Sequence, residues 1–355
     1  MAFSQATISD VARRAQVSIS TVSRVLNDTV PVDEATAARV RQAVAELNYV
    51  PRAAARTLAS RRTNTIGLQL EDIGGEFYTP LLRGIEAEVS EAGYDLLIHS
   101  ARSGQAERPL RRPLGEHNTD GLLVFTEGVS AAELVRLHQI SFPVVLLHRS
   151  PPPGLEMPAI TIENRTGAYR IVDHLITVHH CRRILFLRGP QGNEDSDERE
   201  KGYRQALKAN GLSYDSELVA IGGFDPRQAY AAVKQKLVQG VDFDAIFTGD
   251  DDNAVGVIQA LRQARRRIPR DVAVVGFDDS LFARILTPPL TTVCSPTEQV
   301  GREGARQLIR LIHGEAVDPR RMLPVELVIR QSCGCLDTDL VEAWLEPPSK
   351  EKKEQ

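Results

Sequence analysis

The sequence lacks the features of several common protein classes. No apolar run reaches the roughly 18 residues that a membrane-spanning helix needs, and the first ten residues have neither the basic nor the apolar region of a secretory signal. Four cysteines in 355 residues are too few for a disulfide scaffold. The content of 42% hydrophobic and 25% charged residues is that of an ordinary globular protein. We therefore expect a soluble, cytoplasmic protein of two or three domains.

Common metal and nucleotide motifs are also missing. Cys333 and Cys335 are separated by a single glycine, which is shorter than the usual Cys-x₂₋₄-Cys spacing of a zinc site. The segment 179–181, His-His-Cys, has no second pair of ligands near it in the sequence. Neither a Gly-x-Gly-x-x-Gly nor a Walker pattern follows any predicted strand. The expectation is that the protein binds no metal and no cofactor.

The charge is unevenly distributed along the chain. The formal net charge is −4, but residues 1–62 contain nine arginines against five acidic residues, so this segment carries +4 and the remainder −8. A basic small domain joined to an acidic large one indicates contact with a polyanion through one end only. A chance cluster of charges on a solvated face is the alternative.

The first 50 residues have the apolar periodicity of three short helices. A Thr7 or Ser9 cap begins the first helix, and the sequence from Pro31 to Glu34 begins the third. The predicted inward-facing residues are Ile8, Val11, Ala12, Ala15, Val22, Val25, Leu26, Ala37, Val40, Val44 and Leu47. Two short helices with a tight turn, completed by a third, predict a helix-turn-helix. The outer face of the second helix has short or hydrogen-bonding side chains and no acid, which suits phosphates and base edges; a generic three-helix bundle would leave this face unexplained.

The segment ATISDVARRAQVSISTVSRVLNDTVPVDEATAARVRQAVAELNYVPRAAARTLASRRTNTIGL closely resembles the head and hinge of the LacI/GalR (lactose-repressor-like) family of bacterial transcriptional regulators. TVSRVLN and AELNYVP are its most specific parts. The resemblance implies that the second helix enters the major groove of DNA, with some side chains reading bases and others holding phosphates. The implied DNA-binding residues are Ile19, Ser20, Thr21, Ser23, Arg24, Arg52 and Leu58. One departure is Gln16, which stands where the family usually has glycine.

Residues 51–62 are predicted to form a hinge helix. Pro51 at the first helical position and the alanines after it favour a helix, but two turns are too short to be stable alone in water. The resemblance implies that this helix pairs with a second copy in the minor groove and that Leu58 wedges into a base step. A plain linker with an exposed leucine is the alternative.

From residue 63 to residue 336, apolar runs alternate with helical stretches. The predicted strands are 66–70, 95–100, 121–125, 144–148, 184–188, 218–221, 245–248 and 272–277, and the predicted helices include 80–92, 166–178, 197–209, 226–238, 254–264 and 297–313. Continuous apolar runs are typical of parallel strands buried on both faces, so we predict doubly wound α/β sheets. The number of strands favours two lobes with a cleft between them.

Three further segments, IENRTGAYRIVDHLI, TGDDDNAVGVIQALRQARRRIPRDVAVVGFDD and ARILTPPLTTV, also resemble this family. Its core is similar to a periplasmic sugar-binding protein. The resemblance implies an N-lobe of about 63–161 and 293–323 and a C-lobe of about 162–292 and 324–336. Residues 337–355 would be a flexible tail. Because Pro347 and Pro348 stop any helix there, we expect a homodimer and no tetramer built from this tail.

The cleft between the lobes is the predicted effector site. The implied effector-binding residues are Phe77, His148, Arg199, Phe224, Asp250 and Asp278. Carboxylates, a forked guanidinium and flat apolar faces together suit a sugar or a related polyol or nucleobase. His148 is a departure, because relatives usually have aspartate before the arginine. Asp278 could instead cap the next helix, and Phe77 could be a core residue.

The sequence therefore predicts a DNA-binding transcriptional regulator, most simply a repressor of a pseudopalindromic operator, that responds to a small-molecule effector and is not an enzyme. An α/β sugar-processing enzyme with a fused DNA-binding head is one alternative, although Asp250, Asp251 and Asp252 have no histidine or cysteine beside them in the sequence. A solute-binding protein is another.

Overall fold

The computed structural model describes residues 6–27, 30–49, 62–71, 74–100 and 114–335. The chain divides into two compact units, Met1–Thr63 and Asn64–Gln355. Most of the predicted hinge segment, including Arg52 and Leu58, and the whole predicted tail lie outside the described residues. Among the described residues, no helix is both long and apolar enough to cross a membrane.

The first unit contains three helices, as predicted: α1 (Ile8–Ala15), α2 (Ile19–Asn27) and α3 (Glu34–Glu46). Thr7 begins α1 through a capping box with Asp10, because each residue's side chain accepts a hydrogen bond from the other's backbone N–H. Val11, Val22 and Val40 are fully buried at the centre of the helices. The other predicted inward-facing residues are buried or partly buried around them.

The second unit has twelve strands and eight helices among its described residues. The strands are β1 (Thr65–Leu70), β2 (Asp95–Ser100), β3 (Gly121–Phe125), β4 (Val144–Leu147), β5 (Ala159–Ile162), β6 (Ile184–Arg188), β7 (Val219–Ile221), β8 (Ala245–Thr248), β9 (Ala273–Val275), β10 (Thr292–Cys294), β11 (Arg320–Leu323) and β12 (Glu326–Val328). The helices are α4 (Tyr78–Glu91), α5 (Ala131–Gln139), α6 (Asn164–Thr177), α7 (Glu194–Ala209), α8 (Pro226–Val238), α9 (Asp251–Gln263), α10 (Leu281–Ile285) and α11 (Thr297–Ile312).

These strands form two parallel sheets and one short antiparallel pair. The larger sheet has the order β11-β5-β4-β3-β1-β2, and the smaller has the order β7-β6-β8-β9. Every pairing in both is parallel, whereas β10 and β12 pair antiparallel. The larger sheet takes in β11 from near the end of the described chain, so its strands are not contiguous in sequence.

Burial explains which strands were predictable. All residues of β3 and β4 are buried, because helices cover both faces of a parallel sheet. Helices α4 and α11 pack so closely that a Cβ atom at Gly84 would lie 2.1 Å from the Glu298 carbonyl oxygen. The predicted fold class, a helix-turn-helix head and an α/β core with parallel sheets, is confirmed.

Several element predictions were wrong in detail. Strands β5, β10, β11 and β12 were not predicted, because each has only three or four residues and takes its place from pairing with a distant segment. β9 is shorter than its predicted 272–277. Leu218 lies in a 3₁₀ turn, Ser216–Leu218, rather than in β7.

Candidate functional site

The outward face of α2 is the candidate DNA-reading surface. Ile19, Ser20 and Arg24 are exposed, and Thr21 and Ser23 are half-buried. Ile19 is 51% exposed, which is unusual for so large an apolar side chain. This face therefore exposes the apolar side chain of Ile19, the hydroxyl of Ser20 and the guanidinium of Arg24 together. The sequence predicted such a mixed surface on α2.

The turn before α2 has a strained residue. Gln16 ends α1 in the left-handed conformation, with φ 55° and ψ 47°. Glycine adopts this conformation without steric penalty, whereas another residue costs about 1 kcal/mol. The glycine usual at this position in the family is thus explained by the turn. Ser18 follows, and its Oγ accepts a hydrogen bond from the Thr21 backbone N–H at the start of α2.

In the second unit, a buried pair connects the larger sheet to helix α7. His148, which follows β4, donates from Nδ1 to the Asp195 Oδ2 at 2.7 Å. Asn164, the first residue of α6, donates to the other oxygen of Asp195, also at 2.7 Å. Next to this pair, the Glu194 carboxylate accepts hydrogen bonds from the backbone N–H and hydroxyl of Ser150. The start of α7 is therefore bound to the end of β4 by two neighbouring polar contacts.

The charge of Asp195 is well compensated. Burial by itself raises the pKa of this carboxyl, but His148, Arg199 and the Asn164 hydrogen bond together lower it below its usual value. The other ring nitrogen of His148, Nε2, is buried and has no hydrogen-bond partner among the described residues.

Arg199 continues this network into the C-terminal part of the core. Its Nε donates to the Asn164 side-chain oxygen at 2.8 Å, and Nη1 donates to the Gly249 carbonyl. Nη2 reaches the Asp278 carboxylate at 3.3 Å. The guanidinium lies 3.8 Å from the centre of the Phe277 ring, which is cation–π geometry. Each of the three guanidinium nitrogens of this buried arginine thus donates to a named partner, and these contacts fix its position.

Asp278 lies beyond the end of β9 in a strained conformation, with φ 106°. Its carboxylate accepts a hydrogen bond from the Ser295 hydroxyl at 2.9 Å. His148 and Phe224 also have left-handed backbone conformations, with φ 55° and 57°. Strained backbone clusters at ligand sites, where the surrounding structure maintains it. Half of the predicted effector residues share this property.

Acidic groups concentrate near Asp278. Asp250 caps α9 by accepting the Asn253 backbone N–H at 2.9 Å, and burial followed by the charges of Asp252 and Asp278 raises its pKa well above the usual value. Burial and then Asp278 and Glu76 raise the pKa of Asp252 to about 6. Burial also raises the pKa of Asp278, while Arg199 opposes that rise. The region is rich in buried hydrogen-bond acceptors and has one fixed cation.

Two aromatic residues flank this network. The Phe77 ring lies 5.5 Å from the His148 ring and 5.7 Å from that of Phe125. The centre of the Phe224 ring is 5.8 Å from the guanidinium of Arg199, and the ring covers the backbone of Gly189 so closely that a Cβ there would clash with it. Phe77 is half-buried. It therefore lies at the edge of the hydrophobic core and also beside His148.

The structure therefore brings the six predicted effector residues into one region. Sequence reasoning missed Asp195, Asn164 and Ser295, which connect them. Asp195 stands four residues before Arg199, on the same face of α7, and this spacing was a usable signal. Asp251, which the sequence analysis named only among the acids of the enzyme alternative, is a buried carboxylate that accepts from the Ser280 backbone and from the Thr292 hydroxyl, each at 2.7 Å.

Comparison with known proteins identifies the family. Residues 7–52 match the model of the bacterial regulatory proteins of the lacI family, and residues 172–333 match a periplasmic binding protein-like domain. The transcriptional regulator CelR of Thermobifida fusca is 37% identical over 335 residues, which cover 92% of this chain and 98% of that protein. The chain belongs to the LacI family. It is a sequence-specific, DNA-binding transcriptional regulator.

Further relatives agree with this membership. The ribose operon repressor of Escherichia coli K12 is 36% identical over 320 residues, covering 89% of this chain and 96% of the repressor. The solved structure of a CelR–cellobiose complex matches 92% of this LacI-family chain and 99% of its own, with 34% identity and a TM-score of 0.67. The lac repressor dimer, bound to operator and the anti-inducer ONPF, matches with the same coverage, 25% identity and a TM-score of 0.77.

Proposed function

We propose that this LacI-family protein is a homodimeric repressor in the cytoplasm whose operator affinity is set by a sugar bound between the two sheets of its core. The observation that carries the proposal is the buried polar chain from His148 through Asp195, Asn164 and Arg199 to Asp278. A chain of this kind holds several donors and acceptors in fixed directions. Fixed donors and acceptors are what recognition of a many-hydroxyl ring requires.

The chemistry of the site favours a neutral polyol over an anion. Buried carboxylates at Asp250 and Asp278 are acceptors, so sugar hydroxyls can donate to them. The raised pKa of each carboxyl reflects poor solvation, and an anionic ligand would worsen it. Phe77 and Phe224 offer apolar faces for the ring of a sugar. CelR with cellobiose and a LacI-family regulator with bound ribose are relatives whose ligands belong to this class.

His148 is proposed to adapt the site to this protein's own effector. Its buried Nε2 lacks a partner among the described residues, and a buried polar atom without one is costly. An effector hydroxyl that pairs with this nitrogen removes the cost. Because His148 also contacts Asp195, effector binding there changes the contact between the end of β4 and the start of α7.

DNA binding is proposed to use α2 and the hinge segment. Arg24 and Ser20 would read base edges, Ile19 would contact a thymine methyl group, and Thr21 and Ser23 would hold phosphates. Arg52 would hold a phosphate and Leu58 would wedge into the minor groove. The lac repressor dimer on its operator is the relative that supports a paired arrangement. The effector acts through the different affinity of DNA for two arrangements of the core.

We infer that the protein is not an enzyme. The relatives described above are transcriptional regulators. In the part of the chain that the structure describes, Asp250 and Asp251 have no histidine or cysteine as a hydrogen-bond partner; Asp250 accepts from Asn253, and Asp251 accepts from Ser280 and Thr292. Asp250 thus caps its own helix, and Asp251 binds the Ser280 backbone and the Thr292 hydroxyl, so neither is paired with a histidine base or a cysteine nucleophile.

The test has two stages. Selection from random duplexes defines the operator of the full-length protein, and titration calorimetry with a panel of monosaccharides, disaccharides and nucleobases identifies the effector. Fluorescence anisotropy of labelled operator then measures the change in DNA affinity with that ligand. The expected result is one sugar that binds and changes operator affinity by about 5- to 150-fold.

Site variants then connect this sugar to the network. Asp278→Asn should weaken the binding of the sugar by about 10- to 100-fold, because a charge-assisted hydrogen bond contributes about 1.5–3 kcal/mol to the binding free energy. Asp242→Asn is the control, since this side chain is 82% exposed. Unchanged sugar affinity in Asp278→Asn would contradict the proposal. Conversion of the sugar to a new product would support the enzyme alternative.

A further inference from the structure

The folded core brings together four side chains that the sequence keeps far apart. They are His174 and His179 at the carboxyl end of α6, and Cys333 and Cys335 after β12, and one ligand atom from each lies within 4.8 Å of all the others. The histidine–cysteine segment 179–181 has no second pair of ligands near it in the sequence, but the fold supplies one. That pair comes from more than 150 residues away, together with a histidine one helical turn before the segment.

The distances match those around a tetrahedral ion. The two Nε2 atoms are 3.2 Å apart, and Cys335 Sγ lies 3.6 Å from that of His174 and 3.4 Å from that of His179. Zinc binds sulfur at about 2.3 Å and nitrogen at about 2.0–2.1 Å. A tetrahedron with those lengths has an N–N edge of about 3.3 Å and N–S edges of about 3.6 Å. Three edges of the cluster thus have the size that the ion needs.

We propose that these four residues form a structural Cys₂His₂ zinc site in the core of this protein. Two thiolates with two imidazoles are a donor set that selects zinc among the common divalent ions. Four protein ligands leave no open position, so the site is structural. The ion joins the end of α6 to the segment that follows β12, and both belong to the part of the core around the smaller sheet.

The second layer of the cluster also suits a thiolate. The Thr291 hydroxyl donates to Cys333 Sγ at 3.1 Å, and a ligand sulfur bound to zinc accepts hydrogen bonds of this kind. The segment around Cys333 is fixed, because the Ser332 backbone oxygen accepts from Val274 at 2.9 Å and its hydroxyl donates to the Val274 carbonyl at 2.6 Å. This rigid attachment to β9 holds the Cys333 ligand in place before an ion arrives.

Gly334 explains how a Cys-x-Cys pair can serve here. Its φ is +113°, a region that favours glycine, and this turn brings the sulfurs of Cys333 and Cys335 within 4.8 Å of each other. The ring of His179 lies against its backbone, since a Cβ at Gly334 would be 3.1 Å from Nδ1. His179 and Cys335 are half-buried, so solvent reaches one side and an ion has a path into the site.

The first test measures metal in untagged, full-length protein purified under reducing conditions. Elemental analysis should find zinc at one ion per chain in the wild type and less than a tenth of that in His179→Ala and Cys335→Ser. His180→Ala and Cys294→Ser are matched controls, because they remove a neighbouring exposed histidine and a free cysteine that is not one of the four. Both controls should retain the wild-type content.

The second test uses cobalt as a spectroscopic probe, and it separates metal binding from loss of fold. After Co²⁺ is added to the metal-free wild type, the protein should show the absorption of tetrahedral, thiolate-bound Co²⁺. Added zinc should then displace the cobalt and remove this absorption. His179→Cys keeps a metal ligand at this position, so this variant should still bind Co²⁺. Because it adds a third thiolate, its thiolate-to-cobalt band should be stronger than that of the wild type. Absence of zinc and of the cobalt spectrum from reduced wild type overturns the proposal, as does equal retention by Cys335→Ser.

Discussion

The buried pair between His148 and Asp195 provides a quantitative test of how the two sheets are held together. His148 follows β4 of the larger sheet, and Asp195 is in the first turn of α7, beside the smaller one. Their side chains are 0% and 9% exposed, and Nδ1 and Oδ2 are 2.7 Å apart. Replacing either residue by alanine leaves the other buried without its main partner. We therefore predict that the two substitutions are strongly coupled.

The magnitude follows from burial. Removing one partner of a buried hydrogen bond leaves the other group desolvated, which costs about 1–3 kcal/mol and more for a charged group, and His148→Ala should fall at the lower end because Asn164 still donates to Asp195. Removing both partners eliminates the unpaired group, so the double variant should be little worse than either single one. The coupling free energy should lie at about 1–3 kcal/mol, within the range for contacting residues.

The assay is urea unfolding of the full-length chain, followed by far-ultraviolet circular dichroism, for the wild type, both single variants and the double variant. The pair Arg165–Glu198, at the similar distance of 2.8 Å but with side chains 52% and 28% exposed, provides a matched control cycle. Its coupling should not exceed about 1 kcal/mol. A His148–Asp195 coupling below about 0.5 kcal/mol, with additive single effects, would refute the argument.

Four more predictions concern the head, the hinge and the acidic cluster. Gln16→Gly should stabilise the chain by about 0.5–1 kcal/mol in thermal unfolding, because glycine relieves the left-handed strain; a lower midpoint would contradict this. Arg24→Ala should weaken the binding free energy for the operator by about 1–3 kcal/mol and relax the sequence preference at one base pair per half-site; an equal loss of affinity for random DNA would exclude base reading by Arg24. Leu58→Ala should reduce the bend of the operator measured by energy transfer while effector affinity stays the same; an unchanged bend and operator affinity would make residues 51–59 a plain linker. Asp252 has a pKa raised from 3.8 to about 6, so its carboxyl favours folding below pH 4 and this contribution is lost as the pH rises to 6. Asp252→Asn should therefore raise the thermal midpoint at pH 7.5 but not at pH 4, and equal shifts at both values would argue against a buried charge.

Much of the fold could be predicted because burial in each element leaves a local pattern. The spacing of Ile8, Val11, Ala12 and Ala15, which fits one face of a helix, placed the first helix of the head, and the fully apolar runs of β3 and β4 indicated parallel strands. Strands β10, β11 and β12 left no such pattern. Arg320 and Glu326 are exposed, and these short strands exist because β11 pairs with the edge of β5 and because β10 and β12 pair with each other. Local sequence does not encode such a partner.

The candidate effector site was predictable only in part, for a related reason. Side chains at the carboxyl ends of parallel strands meet at one edge of a sheet, so Asp250 and Asp278 could be assigned to the same cleft from the sequence. The partner of His148 could not be found in this way. Asp195 lies 47 residues further along the chain and follows a strand of the other sheet, so the contact depends on how the two sheets meet.

Helix α6 shows why the usual spacing rules for zinc motifs did not identify the proposed zinc ligands in the sequence. Those rules assume that each pair of ligands belongs to one local loop, and the Cys-x₂₋₄-Cys spacing describes such a loop. Here a Cys-x-Cys pair becomes suitable through the positive φ of Gly334, and its partners are presented by a helix end. The same helix begins at Asn164, inside the polar chain of the effector region, and at about 1.5 Å per residue its ends are about 20 Å apart. An ion at the far end therefore fixes the position of a helix without touching the effector. Removal of zinc should consequently lower stability far more than it changes which sugar is bound.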